Sequence, residues 1–404
     1  MADTDNSLTA SNKEYWQKKM QMYLKKKLVC LKICKMSDKE LIKDGDTINN
    51  PYPSRHFAET YTKGVDFSPQ ALSTTNEALS IDQAQIVPAY IDKIDEVQNS
   101  YPAKEHYSKE FVNELSKKID AVVLSEYDQA TSDVDAGDIG GTDGTSAVAT
   151  STNINRIFSA AGKYLRRLDV PEEERFAVIG PSIMELLQLY TGGKDTPVGD
   201  KVLDNGYVGS RFGFEIYNSN NLTWTGRWTP ANNPTDGDSI TINGVVLTFV
   251  DTLGSTAGNV HIGDSTAHTL DILVAALEAP GTTVSEGTNA GFVALSLANQ
   301  RKLKTINATD GASYIGIEFV GGGEIVVAAS ESADPWSLET VHCLFGKKGA
   351  IELALQLAPT LGFNQAEKRP TGSGYLHAFT IYGYKTWTTK KPELVDVNID
   401  ASDF

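Results

Sequence analysis

Apolar residues recur at helical spacing near the start of the chain. Tyr15, Trp16, Met20, Tyr23, Leu24 and Leu28 mark one stripe among lysines, predicting an amphipathic helix from Asn12 with no partner in its own segment. Residues 1–10 are polar and read as disordered. The apolar pattern then fades. Gly45–Gln98 is long and polar, with strand-like pieces at Asp46–Asn49 and Glu77–Ile81. Between them lies turn chemistry: Asn49-Asn50-Pro51, Pro53, Gly64 and Pro69. Such an excursion buries too little to stand alone, and structureless loops beyond about 12–15 residues are uncommon in compact domains. It reads as an arm that stabilises itself on another subunit; the plain alternative is a floppy surface loop.

The clearest helix follows. Asn99-Ser100 offer caps, Pro102 suits the first turn, and Phe111, Leu115, Ile119, Val122 and Val123 trace a stripe to about Gln129. That predicts a strut on the order of 40 Å. A loop rich in Gly, Asp and Ser/Thr runs from Thr131 to Thr152. The pattern then turns mixed: helix Ile154–Leu168, strand Phe176–Gly180, a Pro181-Ser182 turn into a helix through Leu189, and strand Phe212–Asn218.

From Trp224 to Pro335 the chain is rich in Gly, Thr, Ser, Asn and Val and alternates as strands: Ser239–Ile242, Val245–Val250, Asn259–Ile262, Phe292–Leu297 and Ile315–Phe319, with helix His268–Leu277 between them. Asn243-Gly244 is a hairpin signal. Helix Lys348–Leu357 and strands Tyr375–Tyr382 and Lys385–Thr389, separated by Gly383, close the pattern. The middle block reads as an insertion of about 110 residues into a loop of a parent domain.

Composition narrows the classes. The chain has 404 residues, 40% apolar and 22% charged, so it folds with a sizeable core. It has no apolar run that would span a membrane and no signal-peptide core near the N-terminus, so cytosolic synthesis is expected. Net charge is −16, which argues against a generic nucleic-acid coat. Lysines at 18, 19, 25, 26, 27, 32, 35, 39 and 43 make the first segment basic; either it faces a different partner or it is a solvated helix face.

Catalytic and ligand motifs are wanting. Gly346-Lys347-Lys348-Gly349 fails the phosphate-loop spacing, and no dinucleotide, zinc-protease or nucleophile-elbow motif is present. His56, His106, His261, His268, His342 and His377 are scattered without ligand spacing. Cys30 and Cys34 lack histidine partners, Cys343 is remote, and all three read as buried or idle thiols. Asp133-Val134-Asp135-Ala136-Gly137-Asp138 suggests calcium, but the sixth and twelfth loop positions hold Asp138 and Gly144, so a solvated acidic loop is expected. No catalytic, cofactor-binding or metal-binding residue, and no cofactor, is assigned.

The order of segments resembles the major capsid proteins of tailed bacteriophages. The resemblance runs through Glu14-Tyr15-Trp16, Leu28-Val29-Cys30 and Gly45-Asp46-Thr47-Ile48, like that family's N-terminal arm and the strand opening its extended loop. Tyr61-Thr62-Lys63-Gly64 and Leu79-Ser80-Ile81-Asp82-Gln83 look like the outgoing and returning strands of that loop. Ile91-Asp92-Lys93-Ile94-Asp95, Phe176–Leu187, and Gly383-Tyr384-Lys385 with Trp387 are similar to its spine approach, central strand–helix and closing strand. It covers about residues 12–223 and 337–404.

The implied fold is α+β, of the Hong Kong 97 type with a β-rich insertion. Its expected divisions are an N-terminal arm (1–44), an extended loop (45–98), the spine helix with a piece of the peripheral domain (99–151) and a first axial segment (152–223). An inserted domain (224–336), a second axial segment (337–374) and peripheral closing strands (375–404) complete it. The implied function is non-enzymatic: self-assembly through hexamers and pentamers into an icosahedral head around double-stranded DNA. Implied partners are further copies, weakly held DNA, and any portal, scaffold or decoration proteins, with no membrane. The implied location is the virion, assembled in host cytoplasm. An encapsulin-like compartment and a tail or surface protein are the alternatives.

Overall fold

A computed structural model describes residues 28–37, 45–98, 103–194, 210–283, 285–286, 289–311, 313–321, 327–330, 336–365 and 373–401. The arm helix, apart from Leu28, and the caps before the strut lie outside them. The described residues fall into two compact units. One takes in Gln83–Ser116 and Leu357–Tyr382; the other takes in Lys26–Asp82, Lys117–Gln356 and Gly383–Phe404.

A single helical turn, α1 (Cys30–Ile33), and a short strand, β1 (Lys35–Met36), come first. β2 (Thr47–Pro53) and β3 (Thr74–Ser80) form an antiparallel hairpin, with Thr47 opposite Ser80 and Pro53 opposite Thr74. The hairpin therefore ends at Ser80. β4 (Gln83–Ile91) belongs elsewhere because it has an apolar face to bury: Val87, Ala89 and Ile91 pack with Phe111 and Leu115.

α2 (Lys93–Gln98) leads to the strut α3 (Ala103–Leu124), which has 22 residues and spans about 33 Å. The stretch expected to continue it, Ser125–Gln129, tightens into a 3-10 turn. There Ser125 Oγ donates back to the Val122 carbonyl at 2.9 Å, competing with the helical ladder.

β5 (Ser132–Val134), α4 (Ile154–Arg167), β6 (Arg175–Ile179), α5 (Pro181–Gly192), β7 (Ser210–Arg211), β8 (Phe214–Asn218) and β9 (Thr223–Trp228) follow. α4 buries Ile157, Phe158, Ala161 and Leu165, and the Phe158 ring meets Phe345 at 5.0 Å. Between β9 and β18 the segment 229–335 carries β10 (Ser239–Ile242), β11 (Val245–Val250), β12 (Asn259–His261), α6 (Thr266–Glu278), β13 (Ser285–Glu286) and β14 (Asn289–Ala290). α7 (Leu297–Leu303), β15 (Ile306–Asp310), β16 (Ile315–Phe319) and β17 (Val327–Ala329) complete it. Asn243 and Gly244 both take positive φ, 50° and 72°, as a two-residue primed turn requires. Ile240, Leu247, Phe249, Leu270, Leu273 and Phe292 belong to one buried cluster.

β18 (Trp336–Lys347), β19 (Ile351–Gln365), β20 (Gly374–Thr386) and β21 (Leu394–Asp400) end the described chain. Within the smaller unit β20 lies beside β4, antiparallel, with Tyr375 opposite Tyr90. In the larger unit the described strands form a nine-stranded sheet in the order β15-β16-β9-β18-β6-β8-β7, with β21 along β18 and β5 along β21. The segment 229–335 thus leaves on β9 and returns on β18, antiparallel neighbours whose backbones pair from Trp228–Trp336 to Thr223–His342. Its outer strands β16 and β15 extend the same sheet, and β12-β11-β10-β17 make a second one.

Three expected elements differ. The helix expected over Lys348–Leu357 is the first half of β19. Leu, Ala, Glu and Gln favour a helix, but parallel pairing of β1 with Glu352 and Leu353 overrides that local preference. Phe292–Leu297 is not a strand: Phe292 makes one isolated bridge to Val260, and a helix capped by Ser296 follows. Gly383 does not break the chain into a pair of strands, because β20 runs through it. A Cβ there would collide with the Ser80 carbonyl oxygen, so the glycine marks a close backbone approach and not a turn. β21, within the expected closing region, joins the large sheet.

Candidate assembly surface

The β2–β3 hairpin rises from a base tied down at several points. Ile81 N–H donates to Asp46 O at 2.7 Å, and Gln356 Nε2 donates to Gly45 O at 2.9 Å. Lys385 Nζ donates to Ala78 O at 2.6 Å and lies 3.2 Å from Glu77 Oε1. Glu77 also accepts from Thr388 N–H at 3.1 Å and Thr388 Oγ1 at 3.2 Å. Burial pushes the Glu77 carboxyl upward, but the Thr388 and Lys385 bonds outweigh it and hold the group below its ordinary range. Leu79 and Ile81 are buried at this base.

Away from the base the hairpin has no core. Most β2 side chains are exposed, and Pro51 and Pro53 stand in a strand whose one partner among the described residues is β3. Beyond it the tip, residues 54–73, carries Phe57, Tyr61, Val65, Phe67 and Leu72, each between 59% and 86% exposed. Five large apolar side chains held in water on one loop are unusual for an isolated surface and make the tip a candidate contact site.

The N-terminal approach is anchored separately. Asp120, wholly buried on α3, accepts from Val29 N–H and Cys30 N–H, both at 2.7 Å, and from Asn221 Nδ2 at 2.7 Å. Glu352 accepts from Ser37 Oγ at 2.7 Å and Trp387 Nε1 at 2.8 Å. Sequence reading missed both carboxylates, since their partners lie from about thirty to more than three hundred positions away along the chain. Their one visible signal was an acid inside an apolar stripe.

The scattered histidines hide one built constellation. His342 Nδ1 lies 2.7 Å from Asp396 Oδ2, and its Nε2 lies 3.1 Å from Thr225 Oγ1. The Tyr127 ring stacks on the imidazole at 3.8 Å, and its hydroxyl donates to Glu318 Oε1 at 2.9 Å. Hydroxyl, imidazole and carboxylate stand in the order of a nucleophilic triad. Here, however, the three sit on β9, β18 and β21 of one sheet and Tyr127 covers the ring, so the arrangement acts as a brace. Burial raises the Asp396 carboxyl, with His342 pulling the other way.

The acidic loop is engaged by its own surroundings. Asp133, Asp135, Asp138, Asp143 and Tyr164 line a polar cavity of about 390 Å³. Asp138 takes Lys163 Nζ at 2.7 Å and Tyr164 Oη at 3.0 Å, while Asp135 accepts Gly144 N–H at 2.5 Å. Among the described residues no acid, His or Cys cluster has the makings of a metal centre. Burial first, then the Asp120 charge, pushes the Cys30 thiol up to about 12, and burial does the same for Cys343.

Comparison with known proteins decides the family. The sequence profile of a family described as phage capsid protein matches residues 58–259. The chain belongs to the phage capsid protein family. A solved chain of Mycobacterium phage Che8 superposes with a TM-score of 0.55 at 13% identity, covering 98% of each chain. A chain from the capsid structure of the cyanophage P-SCSP1u gives 0.54 at 13% identity, covering 98% of this chain and 95% of that one. No curated protein sequence matches. This phage capsid protein therefore has the tailed-phage, Hong Kong 97-type fold and is a shell component of the virion. No described helix is long and apolar enough to cross a membrane.

Proposed function

We propose that this capsid protein assembles through hexamers and pentamers into a closed icosahedral head around double-stranded DNA, and that it performs no catalysis. The observation that carries the reading is the hairpin: fixed at its base, coreless along its length, and apolar at its tip. Such an arm gains stability by covering a second copy, and many such arms in a symmetric shell add up to avidity. In this reading 45–98 is the extended loop, with the β2–β3 hairpin as its projecting part, 224–336 is an inserted domain on the outer face, and no residue serves as a catalytic, cofactor or metal site. The net charge of −16 suits weak, non-specific contact with packaged DNA. Portal, scaffold and decoration proteins are the expected further partners, and assembly takes place in the host cytoplasm.

Electron microscopy and sedimentation of the protein, expressed with and without the remaining head genes, test this. Closed shells tens of nanometres across that take up DNA are expected. Shells that enclose a peptide-tagged enzyme in place of DNA, or tubes in every condition, would sink the reading.

A further inference from the structure

The tip of the hairpin is a closed ring, and one side chain closes it. Ser54 N–H donates to Ser73 O at 2.8 Å where the strands diverge, leaving twenty residues, 54–73, beyond the ladder. Across that ring the Gln70 carboxamide makes three bonds. Its Oε1 accepts Phe57 N–H at 3.2 Å. Its Nε2 donates to Phe57 O at 2.8 Å and to Glu59 Oε1 at 2.9 Å. The amide thus replaces a missing pair of strand bonds at Phe57 and orients Glu59 as well. A turn at the far end, Val65 N–H to Thr62 O at 3.1 Å, completes the ring, which surrounds an open hollow of about 600 Å³.

We propose that Gln70 is a positioning residue for assembly: it sets the shape of the tip before contact, so that Phe57, Tyr61, Val65, Phe67 and Leu72 meet a second copy already arranged. This rests on the reading of the hairpin as an intersubunit arm. A twenty-residue loop without internal bonds would lose conformational entropy on docking, and that loss would come off the affinity. A carboxamide is the group that suits the task, because it offers two donors and an acceptor in one plane. A carboxylate would offer no donor to the Phe57 carbonyl and would repel Glu59.

Hydrogen exchange of free subunits and of shells made with the full set of head genes tests this on Gln70→Ala and Gln70→Glu. In free subunits both should speed exchange at Phe57 and across 54–73 about tenfold, Gln70→Glu the more strongly, while the β2–β3 ladder keeps its wild-type rates. Shell formation should slow about tenfold in parallel. Unchanged exchange at Phe57, or faster exchange with unchanged assembly, overturns the proposal and leaves the arm reading standing. Wild-type shells in which 54–73 exchanges as fast as in free subunits overturn both.

Discussion

Asp120 and Cys30 stand ninety positions apart, yet the carboxylate of one receives the backbone N–H of the other at 2.7 Å. The same carboxylate takes Val29 N–H and the Asn221 amide. One buried acid therefore fixes the start of the described chain, the strut and the loop before β9 to one another. A lone buried carboxylate is costly, but three donors in good geometry offset the loss of water.

Replacing Asp120 with Ala should destabilise the subunit by about 3–5 kcal/mol, since three buried donors lose their acceptor. Asp120→Asn should cost less, about 2–3 kcal/mol, because one amide oxygen still accepts. Urea unfolding of unassembled subunits measures both. A loss within about 0.5 kcal/mol of zero for the alanine variant would show the bonds to be incidental.

Glu77 links pH to the hairpin base. Its carboxyl is held below its ordinary value of 4.5, so its stabilising contribution is fully present above that pH and fades as the pH falls through the lowered value. Exchange at Thr388 and along β3 should therefore quicken in acid below about pH 4.5. Glu77→Gln should remove that dependence and show faster exchange at neutral pH. An identical acid profile in the variant would assign the effect to another group.

His342→Ala should cost about 3–5 kcal/mol by stranding the buried Asp396 carboxylate, one of whose oxygens, Oδ1, has no hydrogen-bond partner among the described residues. Asp396→Asn should soften that loss, so the double variant should be more stable than the sum of the single losses implies. A strictly additive cycle, measured by denaturant unfolding, would mean that the pair does not act as a unit.

Gly383→Ala tests the close approach of β20 to the hairpin base. Its added methyl collides with backbone at Ser80 and Ile81, which cannot move aside like a flexible side chain. A loss of about 1–3 kcal/mol is expected, with the hairpin base loosened. A well-folded variant with wild-type exchange at Ile81 would rule out the tight contact.

The features legible in the sequence were those encoded locally. The stripe through Phe111, Leu115 and Ile119 gave the strut, and Asn243-Gly244 gave its turn, because 3.6-residue periodicity and positive φ are properties of a few neighbouring residues. The first half of β19 was illegible since its composition favours a helix and its pairing with Lys35 and Met36 is over three hundred residues away in sequence. The β2–β3 hairpin was visible as a poverty of apolar residues and not as a signal of its own. Gln70, Asp120 and the His342 brace were invisible for the same reason as β19: each is defined by partners that only the folded chain brings near.

The prolines of β2 bear on the geometry a shell can adopt. A two-stranded ribbon with bare edges invites a third strand, and strand upon strand grows without end into fibres. Pro51 and Pro53 have no N–H to offer such a newcomer. Along the β2 edge an arriving copy is then met through side chains, whose contacts tolerate small changes of angle better than a hydrogen-bonded ladder does. Under the proposed assembly, one sequence can in this way bend differently around fivefold and sixfold positions, and polymerisation ends in closure.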